Sequence, residues 1–330
     1  MEYITKTYMD KLYIPAKLKQ EFLNKKVCFF DIETTGFNRN KNYITIIGIV
    51  YYKNSKKIIK QYFADTLNDE YLLLEKFLCD FTNFDTYISY NGDLFDIPFI
   101  NARLKKYNFN YTISKHKSID IINIVKKYRD ILGLEKYRQK DIEKMLNINR
   151  SDKISGKDMV KLYFNYLETQ NRETKDIILK HNLDDIYYLP EILKIYDLIN
   201  DKLRFEIILN NKSNINFNIK QIDVIDNSLF IVGTSSIINI PKQIYFCGNT
   251  NLEWNTKEGN FKFNMLLQEG NLSTGQKCFF INKNSFDFTI ELLDNSKYNV
   301  PENIIIIKDK KNYFIENIKK IIHETIVNIM

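Results

Sequence analysis

Proline and glycine are scarce in this chain of 330 residues, five and ten in all. That scarcity excludes collagen-like and Pro/Gly-rich disordered sequences. Tryptophan occurs once and histidine three times. The four cysteines, Cys28, Cys79, Cys247 and Cys278, stand far apart and form no C-x-x-C pair. A zinc site is therefore not expected, and the thiols read as reduced side chains of a cytoplasmic protein. No run of 18 apolar residues exists, so no membrane span is expected. Met1 to Asp10 has no basic segment leading into an apolar one, so no secretory signal is expected there.

Tyrosine and phenylalanine are abundant, and 44% of the residues are hydrophobic. That is ample for the core of one large or two medium domains. The net charge of +7 is unevenly spread. Residues 201–330 are nearly neutral, with 15 Lys/Arg against 14 Asp/Glu. Residues 101–150 hold 13 Lys/Arg against 5 Asp/Glu. A lysine-rich composition accounts for the lysines in general but not for this concentration, which points to a polyanionic partner.

Hydrophobic periodicity divides the chain near residue 201. A short helix is expected over Ala16 to Asn24, then strands over Val27 to Glu33, Tyr43 to Tyr52 and Lys57 to Phe63. A helix over Leu67 to Phe81, a strand over Thr86 to Ser89 and a helix over Leu94 to Tyr107 follow. Helices are expected over Ser118 to Arg129, Gln139 to Leu146, Gly156 to Glu168 and Arg172 to Ile199, the last broken at Pro190. Three successive strands followed by helices and a further strand give a mixed sheet rather than a simple alternation. Beyond residue 201, period-two segments at 205–207, 215–219 and 261–263 mark strands, with more at 229–232, 243–246, 277–281 and 286–292. They suggest a small β-sandwich or barrel, closed by a helix over Tyr313 to Ile329. Trp254 reads as a core anchor. The expected domains are 1–200 and a β-rich 201–330 of unknown role.

Three short motifs carry chemistry. In Phe30-Asp31-Ile32-Glu33-Thr34-Thr35-Gly36, the two acids are two apart on a strand and project from one face. Buried side by side, they repel and call for a cation, and hard divalent ions take carboxylate oxygen. The spacing also fits a strand end with two solvated acids. In Tyr90-Asn91-Gly92-Asp93-Leu94-Phe95-Asp96, a turn leads into a helix with Asp96 in its first turn, where an acid also suits the helix dipole. In His181-Asn182-Leu183-Asp184-Asp185, a helix puts His181 and Asp185 on one face and Asp184 elsewhere.

Taken in order, F-D-I-E-T-T-G, Y-N-G-x-x-F-D-x-P-F and H-N-x-x-D resemble the DEDD superfamily of 3′–5′ exonucleases, and most nearly the bacterial YprB-like ribonuclease-H-like domain. The resemblance covers about residues 20–200 and takes in Ser118-Ile119-Asp120 and the aromatic helix around Tyr163. It implies an α/β ribonuclease-H-like mixed sheet with flanking helices, followed here by the smaller β-rich C-terminal domain. It implies that Asp31, Glu33, Asp96 and Asp185 hold two divalent metal ions, Mg²⁺ or Mn²⁺, for phosphodiester hydrolysis. Thr34 and Gly36 would lie beside the terminal nucleotide, and Asn91 and Phe95 would shape the pocket floor. The superfamily orients its water with Tyr four residues, or His five, before the last Asp. This chain has His181 at four, a departure that leaves its general-base role or a structural role open.

The partner so implied is nucleic acid, single-stranded with a free 3′ end. Arg103, Lys105 and Lys106, with Lys115, Lys117, Lys126, Lys127 and Arg129, would line its phosphate path. Tyr107, Phe109, Tyr111, Tyr128 and Tyr137 would stack on bases. The rival readings are a non-catalytic nucleic-acid-binding or scaffolding module and an endonuclease, both on the same fold.

Overall fold

The computed structural model describes residues 1–150, 154–208, 214–290, 298–310 and 312–330. It divides into two compact units, residues 1–127 with 137–197, and residues 128–136 with 198–330.

The first unit is built on a six-stranded sheet. Its strands are β1 (Glu2–Met9), β2 (Val27–Thr34), β3 (Ile44–Lys53), β4 (Lys56–Phe63), β5 (Thr86–Ser89) and β6 (Ser118–Asp120). Their order across the sheet is β1-β4-β3-β2-β5-β6. Neighbours among the first four pair antiparallel, and β5 and β6 run parallel to β2. Seven successive residues of β3, Ile44 to Val50, are buried, as a central strand covered on both faces requires. The helices in chain order are α1 (Lys19–Phe22), α2 (Glu70–Phe81), α3 (Asp96–Lys106), α4 (Ile121–Lys127), α5 (Arg129–Leu132, in the second unit), α6 (Gln139–Met145), α7 (Gly156–Thr169) and α8 (Arg172–Tyr188).

The strand alternation decides which face is chemical. Phe30 and Ile32 of β2 pack in one core with Leu73, Leu74 and Phe77 of α2 and with Ile97, Phe99 and Leu104 of α3. Ile46 and Phe63 pack in a second core with Met159, Tyr163 and Tyr166 of α7 and Ile178 of α8. Asp31 and Glu33, alternating with Phe30 and Ile32, therefore project to the α7/α8 side. Helix α8 ends at Tyr188, and Pro190 falls in the 3₁₀ turn Leu189–Lys194 that joins it to α9 (Ile195–Leu203). Proline lacks the N–H that an α-helix interior needs, so the long helix breaks as expected.

In the second unit, strands β7 (Arg204–Ile208), β8 (Asn214–Ile225), β9 (Ser228–Ser235), β10 (Gln243–Cys247), β11 (Thr250–Asn255) and β12 (Asn260–Leu266) form an antiparallel sheet in the order β10-β11-β12-β9-β8-β7. Strands β13 (Gln268–Asn271), β14 (Lys277–Asn282) and β15 (Ile304–Asp309) form a smaller one, followed by α10 (Ile315–Ile329). Trp254 on β11 is fully buried, and its Nε1–H donates to Ser235 Oγ at 2.8 Å. Among the described residues, no helix is long and apolar enough to cross a membrane.

Several expectations need correction. The β-rich region is made of two antiparallel sheets followed by α10, and neither sheet closes into a barrel among the described residues. Strand β1 was not expected, because it is an edge strand with little burial and a weak apolar pattern. Strand β6 was absorbed into the helix that follows it without a turn residue between them. Strands β11, β13 and β15 were not expected either. The expected strand at 286–292 is absent over 286–290, and its last two residues lie outside the described residues.

Candidate active site

Strand β2 supplies the first two acids. Asp31 is paired with Gly48 on β3. A Cβ at position 48 would stand 2.7 Å from Asn182 Oδ1 and Ile186 Cδ1 of α8. The glycine therefore lets α8 approach the sheet closely, and the helix lays His181 and Asp185 beside β2. Asp96 comes from the turn after β5. Asn91 there has φ 69°, and a Cβ on Gly92 would stand 2.2 Å from Ser89 Oγ. The Asp120 carboxylate accepts from the Asn91 N–H at 2.7 Å and the Asp93 N–H at 3.1 Å, which fastens this turn to the end of β6. The chain then enters α3, and Asp96 Oδ1 accepts from the Ile32 N–H at 3.1 Å.

The three motifs thus meet. Asp31, Glu33, Asp96, His181 and Asp185 line one cleft of about 550 Å³. His181 Nε2 lies 3.4 Å from Glu33 Oε1 and 3.3 Å from Asp185 Oδ2. Burial, with the charges of Asp96, Asp185 and Glu33, holds the Asp31 carboxyl well above the usual carboxylate range. Burial likewise pushes Asp96 up to about 7, against the lowering effect of its backbone hydrogen bonds. Buried carboxyl groups whose ionisation is disfavoured first by burial, and at Asp31 also by neighbouring acids, gain from a nearby cation. Their all-oxygen donors, with one imidazole, fit divalent cations.

Asn91 and Phe95 also line the cleft. Thr34 and Gly36 do not: the Thr34 hydroxyl is spent on the Gly36 carbonyl at 2.9 Å. Arg103 is fully buried rather than on a phosphate path. Its Nε donates to Glu70 Oε1 at 2.8 Å and its Nη2 to Oε2 at 2.5 Å, with Glu70 equally buried. Lys105 and Lys106 are exposed in the last turn of α3 and are not among the cleft-lining residues. Tyr107, Phe109 and Tyr111 pack against the core instead of standing free for bases.

The cationic lining comes from elsewhere. Arg138, Lys140 and Arg150 line the cleft, together with Ser155 and Gly156 at the start of α7. Arg150 is 5% exposed and bridges two acids, with Nε 3.0 Å from Glu143 Oε2 and Nη1 on Asp185 Oδ1. Gln139 Nε2 donates to Glu143 Oε1 and to the Asp185 carbonyl, both at 3.0 Å. Burial raises the Glu143 carboxyl, partly countered by Gln139 and Arg150. None of these residues was singled out from the sequence. The only signal was that Arg138, Lys140 and Arg150 belong to the basic block at 101–150, and a charge count does not say which way a side chain faces.

The fold and this site bear directly on relationship. A family model described as the RNase_H superfamily matches residues 28–196, half of the chain, and the protein belongs to that superfamily. No curated protein matches the chain. Among solved structures, the family B DNA polymerase from the hyperthermophilic archaeon Pyrobaculum calidifontis matches with a TM-score of 0.42 and 16% identity. The match covers 53% of this chain and 24% of the polymerase chain.

Proposed function

We propose that the protein is a metal-dependent 3′–5′ exonuclease that hydrolyses phosphodiester bonds of single-stranded DNA or RNA. The observation that supports it most is the convergence of Asp31, Glu33, Asp96 and Asp185, from one strand and two helices, in a cleft also lined by Arg138 and Lys140. An RNase-H-like fold implies nucleic acid as the substrate, and the lining combines carboxylates, which suit cations, with the basic Arg138 and Lys140, which suit phosphate.

Asp31, Glu33, Asp96 and Asp185 hold the cations, which this reading takes to be two Mg²⁺ or Mn²⁺ ions. The chemistry a bound pair supplies is activation of a water and stabilisation of the departing 3′ oxygen. Arg138 and Lys140 neutralise the phosphates of the entering strand. Asn91 and Phe95 meet its terminal nucleotide, the aromatic ring offering a face for the base. Asp31 and Asp96, whose carboxyls burial holds towards the protonated form, would be ionised as ligands of bound cations.

The test is nucleotide release from a 5′-labelled single strand with Mn²⁺, with Mg²⁺ and with chelator, beside Asp31→Asn. A metal-dependent ladder shortening from the 3′ end, absent in the variant, supports the reading. Cleavage of a circular single strand would make the protein an endonuclease. Strand binding with no release under any metal would make it a binding module.

A further inference from the structure

His181 is 4% exposed and sits between two carboxylates. Its Nε2 is almost equidistant from Glu33 Oε1 and Asp185 Oδ2, at 3.4 and 3.3 Å. A charge-assisted N–H···O bond closes to about 2.7–2.9 Å, and one N–H aims well at one acceptor. Both of these distances from Nε2 are longer than that, and they are nearly equal. Donors around one small divalent cation are spaced differently. With bonds of about 2.1 Å, neighbouring donors stand about 3.0 Å apart in an octahedron and about 3.4 Å in a tetrahedron. The two spacings from His181 are of this size, close enough for one cation to draw the three donors together. One donor atom each from Glu33, His181 and Asp185 lies within 4.8 Å of the others.

The surroundings hold this arrangement in place. Asp185 Oδ1 is occupied by Arg150, itself anchored on Glu143, so Oδ2 is the oxygen turned to His181. Gln139 holds the Asp185 carbonyl at 3.0 Å. Helix α8 is pressed against β3 at Gly48 through Asn182 and Ile186, the residues that follow His181 and Asp185.

We propose that His181 is a metal ligand, so that Glu33, His181 and Asp185 form a mixed nitrogen–oxygen cation position that prefers Mn²⁺ to Mg²⁺. The proposal rests on the reading of this cleft as a cation site and deepens it. It replaces the water-orienting role that the position of His181 in the sequence suggested. An imidazole nitrogen suits first-row transition ions, whereas Mg²⁺ favours oxygen and retains water.

The test uses the full chain without substrate, with Mn²⁺ alone as the probe. Pulsed electron paramagnetic resonance of the bound Mn²⁺ is expected to show the ¹⁴N coupling of a coordinated imidazole. His181→Asn should abolish it, and His116→Ala and His323→Ala should leave it. By calorimetry, His181→Asn should weaken Mn²⁺ binding at least about tenfold, in line with the loss expected at a metal site, and Mg²⁺ binding far less. Bound Mn²⁺ without nitrogen coupling, or equal weakening for the two ions, overturns the ligand assignment and leaves the nuclease reading standing. No Mn²⁺ binding at all overturns both. If His181→Asn does not fold, the coupling in the unaltered protein, shifted by ¹⁵N-histidine labelling and retained in the other two histidine variants, decides the matter.

Discussion

The backbone N–H of Ile32 donates to Asp96 Oδ1 at 3.1 Å. Ile32 lies between Asp31 and Glu33, so this bond fastens the acid of the second motif to the strand that carries the first. Asp96→Asn keeps an oxygen that can accept it, whereas Asp96→Leu leaves a buried N–H without a partner. A buried donor so orphaned costs about 1–3 kcal/mol. Urea unfolding in chelator should therefore rank Asp96→Leu clearly below Asp96→Asn, while both lose nucleotide release. Equal stabilities would show that the bond does not hold the two motifs together.

The raised carboxyl of Asp96, about 7 and driven first by burial, sets a pH dependence. Between an unfolded value of about 4 and about 7, the folded chain binds more protons at Asp96 than the unfolded chain. Its contribution to stability is present at low pH and declines as pH rises through that window. Asp31, raised in the same direction, adds to the effect. Melting of the metal-free protein should show this component, and Asp96→Asn should flatten it. Mn²⁺ binding should release protons, which calorimetry in buffers of different ionisation enthalpy detects.

Arg150 joins two carboxylates in a nearly solvent-free position. Arg150→Met removes the partner of Glu143, itself 2% exposed, and breaking such a pair costs about 3–5 kcal/mol. The double variant Arg150→Met with Glu143→Gln should recover part of that loss, because the more deeply buried of the two charges is then no longer stranded. Mn²⁺ affinity should stay reduced in both, since Asp185 Oδ1 has lost its hold. A double-mutant cycle by urea unfolding, with calorimetry alongside, reads the two effects separately.

Gly48 sets how near α8 comes to the sheet. Gly48→Ala places a Cβ 2.7 Å from two side-chain atoms of the helix, and overpacking of this kind costs about 1–3 kcal/mol. Because His181 and Asp185 ride on that helix, cation binding should fall along with stability. Full Mn²⁺ affinity in a destabilised Gly48→Ala protein would separate the glycine from the site.

Arg138 and Lys140 line the cleft, and Lys105 and Lys106 are absent from its lining. Neutralising either of the first pair should weaken single-strand binding and lower the slope of log affinity against log salt by about one. Neutralising Lys105 or Lys106 should change neither by a comparable amount. Fluorescence titrations over a range of salt concentrations measure both quantities.

The sequence by itself determined the first unit's plan. Local periodicity marked Val27–Glu33, Thr86–Ser89 and the helix bearing Asp96 because those patterns reflect burial along a single element. The alternation of Asp31 and Glu33 with Phe30 and Ile32 already put both acids on one face, and the i, i+4 spacing of His181 and Asp185 did the same on a helix. What depends on elements far apart in the chain was decided only by the tertiary structure. The place of Arg103 was settled by Glu70 on a different helix, and a buried ion pair has no local pattern. The cationic lining at Arg138, Lys140 and Arg150 was settled by how α6 and the segment after it face the cleft, because a charge reports composition and not direction. Strand β1 became visible only in its partner β4, since an edge strand owes its structure to hydrogen bonds with a neighbour 47 residues or more away in register. The equal spacing of His181 from Glu33 and Asp185 was decided there too, by a glycine that lets a helix settle close against a strand.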